Sequence, residues 1–313
     1  ISAEQFIGMS GSGFAIGLAI ASYEWMAALT LIIVGKYFLP IFIKKEIYTI
    51  PEFVEKRFSS QLKTILAVFW IGLYVFVNIT SVLYLGGLAL QTILDIDLIY
   101  GIIGLAIFAA AYSLYGGLSA VAWTDIIQVV VLIFGGLITS YLALDTVSSG
   151  KGMLNGLKLL YEVVPEKFDM ILDKSNPEYM SLPGIGVLIG GMWVANLYYW
   201  GFNQYIIQRT LAAKSLKEAQ TGILFAAGLK MILPLIIVIP GIAAYVIVND
   251  PALLSSLGDS GLSNMPTTGS ADKAYPWLMQ FLPTGLKGIA VAALAAAIVS
   301  SLASMLNSTA TIF

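Results

Sequence analysis

The chain has no cysteine and no histidine. Disulfides, thiolate or imidazole metal sites, Cys–His nucleophiles and histidine proton relays are therefore excluded. Charge is scarce as well: 11% of the 313 residues are Asp, Glu, Lys or Arg, against 58% hydrophobic. Ordinary soluble domains carry about 25% charged residues, so this surface is not made for water. The 16 basic and 18 acidic residues leave a net charge of −2, which offers nothing to nucleic acid. A phosphate-cradling Gly-x-x-x-x-Gly-Lys-Ser/Thr motif is also missing, which leaves ATP-driven transport unsupported. The chemistry that remains is that of carboxylates, amides, hydroxyls, lysines and backbone carbonyls.

Long apolar runs are what the chain has instead, with a mean hydropathy of +0.88. A helix crosses a bilayer with about 20 such residues. Eight candidate spans follow: 3–22, 25–43, 64–94, 98–116, 122–146, 184–207, 220–248 and 287–313. The expected fold is an all-α, multi-pass integral membrane protein with a single transmembrane domain over 1–313. No cleavable signal peptide precedes the spans, and the chain starts at Ile1 and stops inside an apolar helix, as expected of a piece cut from a longer protein.

Basic residues orient the spans. Lys44, Lys45, Lys56, Arg57 and Lys63 follow the second span, and Arg209, Lys214 and Lys217 follow the sixth. Both loops then face the cytoplasm, and loops 147–183 and 249–286 face outward. Residues 44–63 read as an amphipathic helix on the inner surface, with Pro51 in its first turn. A second short helix is expected near 152–163. The first and sixth spans are both glycine-rich and polar at mid-depth, the pattern of interrupted helices in inverted-repeat transporters.

Ionisable groups at membrane depth carry functional hypotheses by default. Glu24 lies between the first two spans, Lys230 and Asp125 lie within two others, and the amides Gln5, Asn78 and Asn196 lie within three different spans. Glu24 and Lys230 fit either a ligand site or a structural ion pair; the amides fit ligand contacts or interhelical hydrogen bonds. With Tyr23, Tyr198, Tyr199, Trp200 and Phe202 alongside, the set suits a neutral, hydroxyl-rich ligand such as a sugar, its flat face against a ring. In the last span Ser300 and Ser301 stand three and four residues after Ala297. Two hydroxyls and one carbonyl there can converge on a small hard cation, or the serines can simply let helices pack.

Several stretches carry a family likeness. The segment YSLYGGLSAVAWTDIIQ (112–128) resembles the conserved motif of the sodium:solute symporters, and TIPEFVEKRF (49–58) and QYIIQRTLAAKSLKEAQ (204–220) resemble two more. The run SGSGFAIGLAIASYEWMA is similar to the branch that transports sugars, galactose or glucose. The likeness covers the whole chain. It implies a LeuT-like core of two inverted five-helix repeats, with first-repeat helices in 1–146, an extracellular loop at 147–183 and part of the second repeat in 184–313. It implies a sugar site at Gln5, Glu24, Asn78, Asn196, Lys230 and Tyr199, gated by Met9, Tyr23 and Tyr199. It implies a sodium site at the Ile1 and Ala297 carbonyls and the Ser300 and Ser301 hydroxyls, with Asp125 on the ion's exit path. The implied function is inward sodium flow coupled to sugar uptake by alternating access, in the lipid bilayer of a bacterial inner membrane. Sodium is the co-transported ion, and a homo-oligomer is compatible with the sequence.

The same scaffold admits a proton- or sodium-coupled symporter of amino acids or other small solutes. An intramembrane enzyme would need a Ser–Lys or carboxylate pair, and Lys230 has no serine nearby in its own span. No filter-like repeat or ring of like charge points to a channel.

Overall fold

The structure is a computed structural model that describes residue 2 and residues 4–182, 184–258 and 262–313, with backbone alone at 117–120. All regular structure among the described residues is helical. Among the described residues seven helices are long and apolar enough to cross a membrane. They follow a short helix, α1 (5–15), and are α2 (Leu18–Lys44), α3 (Ser60–Leu94), α4 (Leu98–Gly116), α5 (Val121–Val147), α6 (Gly184–Phe202), α7 (Leu216–Asn249) and α8 (Thr284–Ile312).

The first expected span is shorter than its hydropathy suggested. Its helix ends at Ala15, and Gly17 then adopts φ +98° before the chain turns into α2. A side chain at Gly17 would be strained by that φ and would also lie 2.3 Å from the Lys167 carbonyl oxygen. Eleven helical residues rise only about 16 Å, roughly half of the ~30 Å hydrocarbon core.

The helical backbone from Leu98 to Val147 is unbroken, yet it is not one rod. The Tyr112 hydroxyl lies 2.5 Å from Thr124 Oγ1, whereas twelve residues of straight helix would separate them by about 18 Å. The chain therefore doubles back between them, and α4 and α5 are two spans, as the hydropathy pattern predicts.

Burial differs among the spans. The most apolar windows of α7 and α8 are 67% buried, whereas those of α3, α4 and α6 are 17% buried. Phe76, Leu114, Tyr115 and Ile189 are among the exposed side chains of these three spans. Helix α7 packs against α1, α2 and α5, and α8 packs against the α4–α5 pair. At the closest approach Gly241 of α7 meets the Ser10 carbonyl of α1, where a Cβ would stand 2.0 Å from the oxygen.

The two basic loops are in contact. Gln204 receives the Ile50 amide and donates to the Tyr48 carbonyl, so the two basic loops meet on one face. The inner-surface helix is shorter than expected. It runs over Ile50–Arg57, capped by Thr49 with Pro51 in its first turn, and Ser59 starts α3 afresh in extended conformation. The expected outer helix is present as Met153–Val163.

Lys167 closes the end of α1. Its ammonium donates to the Phe14 carbonyl at 3.0 Å and the Ala15 carbonyl at 2.5 Å, and sits 4.2 Å from the Tyr245 ring centroid on α7. A cation at a helix C-terminus satisfies orphan carbonyls and complements the dipole. Burial pushes this ammonium's pKa down, against the pull of Glu166 and Glu178. Lys167→Ala is expected to cost about 1–2 kcal/mol, read as a lower melting temperature in detergent, with Lys167→Arg recovering most of it. Unchanged melting would mean that the contact does not hold the helix end.

Candidate functional site

A cavity of about 1090 Å³ lies among α1, α2, α6, α7 and α8. The polar residues at its centre come from three helices. Glu24, in the second turn of α2, is only 7% exposed, and Lys230, midway along α7, is 5% exposed. Their side chains meet at 2.5 Å. The other Glu24 oxygen accepts from Gln5 Nε2 at 2.9 Å. Lys230 also stands 4.1 Å from the Trp200 ring centroid, which adds a cation–π contact to the ion pair. Both charges are thus compensated before any ligand arrives, as burial at this depth requires.

Asn196 is committed within its own helix. Its amide donates to the Met192 carbonyl and its oxygen accepts from Trp200 Nε1 at 3.1 Å, which fixes the indole against Lys230. Tyr199 lines the cavity beside it and packs edge-on against Trp200. Gln5, Met9, Tyr23, Glu24, Asn196 and Tyr199 all face the same volume. Lys230 reaches it through Glu24, and Asn78, on α3, is not among the lining residues.

The closing helix supplies the other end of the cavity. Ala297, Ser300 and Ser301 of α8 line it together with Asp125 of α5. Ser300 donates its hydroxyl hydrogen to Asp125, so its oxygen keeps lone pairs that can face a cation. Asp125 is in turn bound by Arg209 at 2.8 Å, and Arg209 also donates to Ser304 at 2.6 Å. Asp125 therefore touches the hydroxyl set directly. Ile1, the expected carbonyl donor opposite, lies outside the described residues. Among the described residues no three His, Cys, Asp or Glu side chains cluster as they would around a multivalent metal ion.

Two contributors were not singled out from the sequence. Arg209 was read only as loop charge, although it follows the break at Asn203 and returns its guanidinium to the cavity. Glu4 also lines the cavity, one position before Gln5. Its carboxylate, the only one before Glu24, was the available signal.

Known proteins share this architecture. The model of the sodium:solute symporter family matches residues 1–313. The chain is 71% identical over 313 residues to a sodium/glucose cotransporter of Vibrio parahaemolyticus, covering 100% of this chain and 58% of that protein. It is 34% identical to the human sodium/myo-inositol cotransporter 2, covering 100% of this chain and 48% of that one. It superposes on a sodium-coupled sialic acid symporter in a substrate-bound, outward-open state with a TM-score of 0.81 and 24% identity, across all of this chain and 63% of that chain. That superposition shows the LeuT-like fold expected from the sequence. The chain spans about half the length of the curated relatives it matches.

Proposed function

Because the chain belongs to the sodium:solute symporter family, we propose that its protein couples inward sodium flow to uptake of a sugar of the galactose or glucose type. One observation carries this reading: the Gln5–Glu24–Lys230 network, the Tyr199 ring and the Ala297–Ser300–Ser301 oxygens border a single cavity. Sugar hydroxyls find a carboxylate, an amide and an ammonium already oriented, and Tyr199 covers the apolar face of the pyranose. The high identity to a sodium/glucose cotransporter supports the same substrate class. The mutual neutralisation of Glu24 and Lys230 weighs against a zwitterionic amino acid, since neither charge is free to pair with it.

Sodium held between α8 and the start of α1 would bridge the two repeats, taken as 1–146 and 184–313. Sodium and sugar would then favour the same arrangement of α1, which couples them energetically. Rocking of the helix bundle would open the cavity inward, where low sodium releases both. The site of action is the cytoplasmic membrane of a bacterium.

Ser301→Ala tests the ion site. Removing one of a few neutral ligands is expected to raise the half-saturating sodium concentration of sugar uptake by about five- to tenfold, or ~1 kcal/mol. Melting of the apo-protein should change little. A variant with the parent's sodium dependence would return Ser301 to helix packing.

A further inference from the structure

The cavity's acids are not equivalent. Five line it: Glu4, Glu24, Asp125, Glu218 and Asp272. Glu24 is neutralised by Lys230 at 2.5 Å, and Asp125 by Arg209 at 2.8 Å. Glu218 is an exposed residue at the start of α7, on the face of the basic loops, and Asp272 belongs to the opposite, outer face, against Gly11. Glu4 is different. It stands at the start of α1, partly buried, and among the described residues no side chain or backbone group pairs with its carboxylate. It lines the same cavity as Tyr199, Tyr205, Ala297, Ser300 and Ser301. Glu4 therefore borders the cavity that also holds the hydroxyls assigned to the ion.

A site of one carbonyl and two hydroxyls carries no formal charge. Moving a monovalent cation from water into it must be offset by charge nearby, because neutral oxygens replace hydration without cancelling the ion's field. Both deep carboxylates other than Glu4 are already cancelled by a fixed cation. We propose that Glu4 is a specificity-determining residue of the cation site, supplying the uncompensated negative charge that draws a small monovalent cation to Ala297, Ser300 and Ser301. This rests on the sodium-coupled reading above and adds a residue to it. The same carboxylate disfavours an anionic substrate in the cavity, in keeping with a neutral sugar.

The test uses the full-length protein in detergent and in proteoliposomes. Sodium binding is read first without sugar, from sodium-dependent tryptophan fluorescence, and sodium-dependent uptake second. Glu4→Gln keeps the shape and removes the charge, and is expected to raise half-saturating sodium about tenfold in both assays. Sugar affinity at saturating sodium should stay within about twofold of the parent. Glu4→Asp, which keeps the charge on a shorter arm, should fall between the two. Glu4→Ala replaces the glutamine variant if that one does not fold. Sodium dependence within about twofold of the parent in a folded neutral variant overturns the proposal. So does a change confined to sugar affinity, which would make Glu4 a sugar contact. A parent that binds no sodium contradicts the coupled-transport reading itself, and that arm is measured before any variant.

Discussion

Replacing Lys230 with methionine is expected to abolish sugar uptake and to cost the fold about 3–5 kcal/mol. The side chain is buried, bonded to Glu24 at 2.5 Å and stacked on Trp200. Methionine fills much of the volume but leaves the Glu24 carboxylate with Gln5 alone, a buried charge with one neutral donor. The penalty comes from the stranded carboxylate more than from loss of the pair, because an ion pair in low dielectric barely repays its own desolvation. A double variant separates the two effects. With Glu24→Gln added, no charge remains to strand, so most of the melting temperature should return. Sugar binding should not return, since the ligand has lost both its ionic partners. Recovery of uptake in the double variant would show that the pair is structural only.

Gly241→Ala is expected to be the most damaging small substitution in the core. The added Cβ would sit 2.0 Å from the Ser10 carbonyl oxygen and 2.9 Å from its carbon, and both are backbone atoms with no rotamer to yield. Helices α1 and α7 would have to separate along the seam where α1 crosses into the cavity. A cost of about 3 kcal/mol or more is expected, seen as loss of monodisperse protein in detergent. Gly72→Ala in α3 is the control: nothing lies within 4 Å of its added Cβ, and alanine is the better helix former. Equal melting of the two variants would mean that α1 adapts freely.

Hydropathy made the spans legible because lipid imposes a length and a composition on every crossing helix. It misplaced the end of the first span because residues 16–22 are as apolar as those before them. The break there is made by one positive φ at Gly17 and by Lys167, more than 150 residues away, and neither leaves a periodic signal. The inner-surface helix was drawn too long for a similar reason. Its stop at Phe58–Ser59 depends on a capping serine inside a run whose apolar spacing continues.

Within the site, Glu24, Lys230 and Gln5 stood out because charge and amides at membrane depth are costly and must be compensated. That Glu24 serves both of the others is a fact of packing between α1, α2 and α7. Arg209 was hidden by its company: among Lys214 and Lys217 it reads as loop charge, and only the turn at Asn203 points it at Asp125. Asn78 is the one amide of the sequence reading that the cavity lining leaves out, and its part in sugar binding stays a proposal.

The coupling ion is the centre of the account, and uptake of labelled galactose by the full-length protein in proteoliposomes tests it most directly. Gradients of sodium and of protons are imposed separately, with potassium outside as the control. Accumulation driven by the inward sodium gradient, and absent with protons alone, is the predicted result. Accumulation driven by the proton gradient in sodium-free buffer would contradict it.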